Sequence, residues 1–195
     1  MKNIYIILIL IFSFTIISCA KKSDTSSTTT TTEVEGTWLT NCFQSGDYYH
    51  IHSATVTGTD VVVKYEWHTD SGCSTDYVMW EDTYDSLSIG DEVTFSDATK
   101  GHKFTLEVVS FKLTPQTATS TSDLNTSVYC GDTDWALNTA KDYTGKTCSS
   151  TAYAVANTSV QGLYNLVGNN LFIGTLNTTG SYPTEVSTSI TYVKQ

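Results

Sequence analysis

Three histidines, His50, His52 and His68, are the side chains in this sequence best suited to holding a transition metal. His50 and His52 stand two apart, so on a strand they share a face. Whether His68 joins them depends on the connection between their strands. A three-residue loop sets His68 opposite His50, and a two-residue loop turns it to the other face. The plainer reading is a solvated strand face shared with Lys64 and Glu66, and no metal is assigned. Asp82, Asp85, Asp91, Glu92 and Asp97 crowd a short region and raise the question of calcium. No acid-rich calcium loop pattern accompanies them, so turn and surface acids are expected. Asp132 and Asp134 read as turn or cap residues. Trp67, Tyr77 and Trp80, with Tyr84 nearby, are the candidate ligand-binding residues, as cavity lining or stacking platforms, although aromatics more often fill a core. No G-x-S-x-G, H-E-x-x-H, P-loop or dinucleotide fingerprint is present. No catalytic residue and no cofactor is assigned, and the protein is not expected to be an enzyme.

The first apolar run extends over residues 4–17, behind Lys2, and ends in Ile16-Ile17-Ser18-Cys19. At about 14 residues it is short for a membrane span and suits an export signal. Its end resembles the lipobox of bacterial lipoproteins, in which the cysteine is lipidated and becomes the first mature residue. That resemblance implies removal of residues 1–18, palmitate-type acylation of Cys19 and anchoring in a membrane. Two acyl chains anchor stably where one does not. Ala20 after the cysteine is not the aspartate that favours inner-membrane retention, so the resemblance implies the outer membrane. The alternative is cleavage after Ala20, which discards Cys19 and leaves a secreted soluble protein.

Five cysteines leave an odd thiol in an exported chain. Lipidation of Cys19 removes it and leaves Cys42, Cys73, Cys130 and Cys148 to pair. Four cysteines allow three connectivities. Cys42 with Cys73 and Cys130 with Cys148 is favoured, because near neighbours meet most easily. The chain-entropy relation gives about 3–4 kcal/mol for each. With no C-x-x-C and an oxidising compartment, a metal site is disfavoured.

The remainder of the 195 residues suits one domain on a tether. Residues 19–35 comprise the cysteine and a Thr/Ser-rich linker without apolar periodicity, and residues 36–195 form the folded part. Charged residues are 15% of the chain, and branched and aromatic residues suited to strands are plentiful. Ten basic residues, all lysine, face twenty acidic ones, for a net charge of −10. That field repels phosphate backbones, so nucleic acid is excluded as a partner.

Residues 48–57 and 61–68 read as a hairpin about Thr57-Gly58-Thr59-Asp60. On the second strand Val61, Val63, Tyr65 and Trp67 face inward. On the first, the phase shifts from Tyr49 and Ile51 to Ala54 and Val56, which suggests a bulge near Ser53. A strand over 77–87, a turn over 89–92, a short strand over 93–95 and a turn over 98–101 follow. Residues 102–113 form the clearest strand, with a bulge near Val109. Residues 114–127 read as a long polar surface loop, and residues 134–141 as a short helix. A hairpin about Gly168-Asn169-Asn170 and a strand over 189–193 complete the chain.

Gly36-Thr37-Trp38 at the first strand resembles the G-x-W of lipocalins and wider calycins, in which that tryptophan closes the base of an up-and-down barrel. The sequence departs from the family in having no arginine to pack on the tryptophan. Trp38 with Cys42, Asp70 with Cys73, the C-G-x-x-D-W of residues 130–135, and L-F-I-G with a terminal Y-x-K are together similar to small Gram-negative lipoproteins. The fold expected is all-β, an antiparallel meander closed as a lipocalin/calycin-like barrel, with a β-sandwich as the alternative and at most one short helix. The function expected is a lipid-anchored cell-envelope binding module for a small apolar ligand. The alternative is a structural lipoprotein that contacts an envelope protein and takes no small molecule.

Overall fold

The computed structural model describes residues 32–96 and 99–195. The lipobox, Cys19, most of the tether and Asp97 lie outside the described residues. The strands are β1 (Gly36–Leu39), β2 (Phe43–Ser45), β3 (Tyr48–Thr57), β4 (Asp60–His68), β5 (Asp76–Thr94) and β6 (Lys100–Pro115). After a helix, α1 (Ala118–Thr126), come β7 (Lys141–Asp142), β8 (Thr147–Cys148), β9 (Thr151–Ala152), β10 (Ser159–Val167), β11 (Asn170–Ile173) and β12 (Tyr192–Lys194). Eight of them, β1, β3, β4, β5, β6, β10, β11 and β12, pair in that order, all antiparallel. β1 bonds β3 on one edge and β12 on the other, so the ring closes. The result is the lipocalin-like barrel expected rather than a sandwich.

The pairing register stacks the inward side chains in layers, because residues directly opposite on antiparallel strands share a face. One layer holds Val56, Val61 and Tyr84, and the next Ala54, Val63, Asp82 and Phe111. His52, Tyr65, Trp80 and Leu113 follow, then His50, Trp67, Val78 and Pro115. β3 pairs with β4 without a slip from Tyr49 to Thr57, so the bulge expected near Ser53 is absent. The assignment that placed the histidines in water is wrong for the same reason. His50 and His52 keep the inward phase of Ala54 and Val56, and Tyr49 and Ile51 face outward. Aromatic neighbours compensate: His50 lies 4.8 Å from the Trp67 ring and His52 4.8 Å from the Tyr65 ring. The hairpin loop has two residues, Gly58 and Thr59, so His68 pairs with Tyr49 and does not join His50.

β6 carries the expected bulge. Thr83 pairs with Ser110 and Tyr84 with Val108, which leaves Val109 without a partner and largely exposed. This shift moves the inward phase from Leu106 and Val108 to Phe111 and Leu113. The turn expected over 89–92 is instead a ladder irregularity inside one continuous strand, with slips between Asp85 and Ser88 and between Ile89 and Glu92. On the outer wall Glu81 lies between Lys64 (3.5 Å) and Lys112 (4.0 Å), a half-buried row of alternating charge.

Residues 116–158 leave the barrel wall and return to it. The helix falls within the stretch read as a polar loop, while residues 134–141 form no helix. α1 has almost no apolar stripe, so periodicity does not reveal it. Its start is set by a capping box in which Thr117 Oγ1 accepts from the Ser120 amide and Ser120 Oγ accepts from the Thr117 amide. The 134–141 stretch is drawn into tertiary contacts instead. Asn125 accepts from the Trp135 amide at 2.7 Å and donates to its carbonyl at 3.0 Å, and Lys141 reaches back to Asp134 and over the Trp135 ring. Both favoured disulfides form, Cys42–Cys73 and Cys130–Cys148. The second pins the excursion that carries Tyr143 and Tyr153 against the β6 residue Phe111.

Trp38 is 1% exposed and donates from Nε1 to the Val34 carbonyl at 2.8 Å. The cation over its ring is Lys194, 5.2 Å from the centroid, in a chain without arginine. The folded unit also begins earlier than residue 36. Val34 is buried, Glu33 accepts from Tyr164 Oη at 2.6 Å, and Glu35 accepts from the Gly58 amide.

Candidate ligand-binding lumen

The barrel is hollow. A cavity of about 590 Å³ lies among Val34, Val56, Val61, Val63, Leu106, Leu171 and Ile173, with Leu176 and Ile190 from the segment joining β11 to β12. A second cavity of about 400 Å³ lies among Phe43, His50, Trp67, Trp80 and Tyr143. Protein interiors close-pack and hold few voids larger than one water, so neither space is a packing defect. The volumes fall in the range of small-molecule sites. His52, Tyr65, Asp82, Tyr153 and Ile190 line both spaces. They form a waist between a larger aliphatic chamber and a smaller aromatic one.

Of the candidate residues read from sequence, Trp67 and Trp80 line the smaller chamber, with ring centroids 4.3 Å apart. Tyr84 lines the larger one. Tyr77 lines neither. It stacks on Tyr48 at 4.8 Å, and its hydroxyl donates to Asp123 at 2.7 Å, fastening α1 to the barrel. The cause is parity. Val78, Trp80, Asp82 and Tyr84 point inward along β5, and Tyr77 falls on the other phase.

Asp82 is the residue that sequence reasoning missed. Its place in the sequence groups it with the acids that follow it, yet it sits between Trp80 and Tyr84 on the inward face. A carboxylate in phase with two large aromatics is the signal that separates it from Asp85, Asp91 and Glu92. Of these, Glu92 is an exposed partner of Lys100 at 2.6 Å. Burial pushes the Asp82 carboxyl up to about 7, against the opposing effect of the hydrogen bond it accepts from Tyr84 Oη at 3.3 Å. Among the described residues lining the two chambers there is no lysine and no second carboxylate.

The histidine at the waist behaves in the opposite sense. Burial, and then the proximity of His50, bring His52 down to about 4, so it is neutral at physiological pH. Its Nδ1 lies 3.4 Å from Tyr192 Oη. Burial and then Asp82 raise the Tyr65 and Tyr84 phenols above their ordinary range. Burial alone brings Tyr192 up to about 12. The waist at neutral pH is therefore a ring of neutral phenols and one neutral imidazole about a carboxyl poised to ionise. His68 stays apart from it, buried, with Nδ1 3.3 Å from Asp76. No group of three His, Cys, Asp or Glu side chains among the described residues is arranged to hold a metal.

Fold and lumen together define a closed eight-stranded, lipocalin-like antiparallel barrel with an internal chamber. No protein-family model matches the chain, and comparison with curated proteins finds no match.

Proposed function

We propose that this protein is a lipid-anchored envelope lipoprotein whose barrel carries a small apolar ligand in its lumen, without catalysis. The observation that carries the reading is the cavity of about 590 Å³, lined mainly by aliphatic and aromatic side chains. A structural lipoprotein without a ligand has no use for such a space, and a well-packed core would have filled it. The non-catalytic reading rests on the chemistry present. The four described cysteines are paired, and the lumen presents one carboxylate rather than the two that acid-base glycoside cleavage needs. The anchor rests on the lipobox resemblance and on the odd cysteine that lipidation of Cys19 accounts for. Outer-membrane attachment follows from Ala20, with a secreted soluble form as the alternative.

Native mass spectrometry of protein purified from its own host tests the ligand. A stoichiometric added mass of a few hundred daltons that is lost on denaturation is expected, and protein that carries no added mass would overturn the reading. Intact mass of the mature N-terminus tests the anchor separately: a diacylated Cys19 is expected, and a free Lys21 amine would end it.

A further inference from the structure

We infer that the ligand of this lumen is an amphipathic amine, its protonated head held at the Asp82 carboxylate and its apolar body filling the aliphatic chamber. This rests on the lumen reading above and adds the ligand's charge. Asp82 is half-buried beside the lumen, and a carboxylate that has lost part of its water needs a cation or several donors to offset that lost hydration. Among the described residues Asp82 has one donor, Tyr84 Oη, at the long distance of 3.3 Å. Its own strand has no lysine; of those on the adjoining strands, Lys64 and Lys112 lie on the outer wall with Glu81, Lys100 pairs with Glu92, and Lys103 lies over the Tyr182 ring. The missing counter-charge is thus not supplied from within the barrel.

The surroundings suit a cation and no other charged head. Trp67 and Trp80 face the smaller chamber with Tyr65 and Tyr143, and Asp82 borders it. Aromatic faces attract a cation through their quadrupole, most strongly where water is excluded. The same arrangement repels a fatty acid, whose carboxylate would meet Asp82 with no lysine between them. A sugar has no apolar body for the larger chamber. An ammonium at the waist donates a charge-assisted hydrogen bond to the Asp82 carboxylate and meets the rings on the aromatic side, while its chain extends among Val61, Val63 and Leu106.

The test uses the full chain and three probes of one length, decylamine, decanol and decanoate, below their micelle-forming concentrations. Calorimetry and tryptophan fluorescence follow binding, since Trp67 and Trp80 line the site. At pH 8 decylamine is expected to bind at least tenfold more tightly than decanol, with decanoate weakest. Between pH 8 and pH 6 the amine's affinity should fall about fivefold to tenfold as Asp82 takes up a proton. Asp82→Asn should bring the amine-to-alcohol ratio to within about threefold of one, in a variant shown to be folded by circular dichroism. If decanol binds and the amine is not preferred, or if Asp82→Asn keeps the preference, the inference fails and the apolar-ligand reading stands. If none of the three binds, both fail.

Discussion

Replacing Asp82 by asparagine should stabilise the protein at neutral pH. The asparagine keeps the size of the side chain and an oxygen to accept from Tyr84, and it cannot ionise; its NH2 group stands where the second carboxyl oxygen was. In the folded barrel burial lifts the Asp82 carboxyl from an ordinary value of 3.8 to about 7. The unfolded chain ionises it near 4, so between these values the folded state binds one proton more than the unfolded. Stability contributed by this group is therefore fully present at low pH and is lost as pH rises from 4 to 7. A shift of about three units at about 1.4 kcal/mol per unit sets a ceiling near 4 kcal/mol. Water entering the open lumen screens part of it, so the variant should gain about 2–4 kcal/mol at pH 7.5 and under about 1 kcal/mol at pH 4.5. For a chain of this size that is roughly 5–15 °C in melting temperature.

His52 must be separated from this effect. Its folded value, about 4, lies below its unfolded 6.5, so its contribution to stability grows with pH over nearly the same window. The wild-type profile from pH 4 to 6.5 is thus flattened by two opposing groups, while the difference between variant and wild type cancels His52. Urea denaturation of both proteins at the two pH values measures that difference. A variant equally displaced from wild type at pH 4.5 and 7.5 would refute the buried carboxyl, as would a carbon-13 titration placing Asp82 near 4.

Other perturbations reach separate parts of the structure. Replacing Cys130 and Cys148 by serine should cost about 3 kcal/mol from loop closure over 18 residues and loosen Tyr143 and Tyr153 at the lumen, which thermal denaturation and tyrosine side-chain NMR will report. Gly162→Ala should destabilise by about 1–3 kcal/mol or drive Phe104 into the chamber, because a Cβ there would stand 2.2 Å from Phe104 Cζ; unchanged stability and unchanged ligand capacity would contradict that packing. Trp38→Phe, which leaves the Val34 carbonyl without its indole donor, should cost about 1–3 kcal/mol in a denaturant titration.

Much of the scaffold was legible because strands announce themselves by period two. The alternation Val61, Val63, Tyr65, Trp67 placed the inner face of β4, and the phase change at Val109 placed a real bulge. Both disulfides followed from proximity along the chain. What misled was the rule that polar residues face water. His50, His52 and Asp82 lie on the inner face, where a hollow barrel lets polar groups stand among aromatic rings. The helix over 118–126 was hidden because its start depends on hydroxyl caps and its body carries almost no apolar stripe. Closure of the ring could not be read locally at all, since it joins strands some 150 residues apart along the chain.

That closure carries a consequence for how the molecule is made. β1 is four residues long, and it is bonded on one edge to β3 and on the other to β12, where Trp38 lies opposite Lys194. Until residues 192–194 have been synthesised and have swung back, both β1 and β11 present raw hydrogen-bonding edges of the kind that invite pairing with another chain. The meander of β3 to β6 can zip as it emerges, but the vessel is sealed by one late and distant stitch.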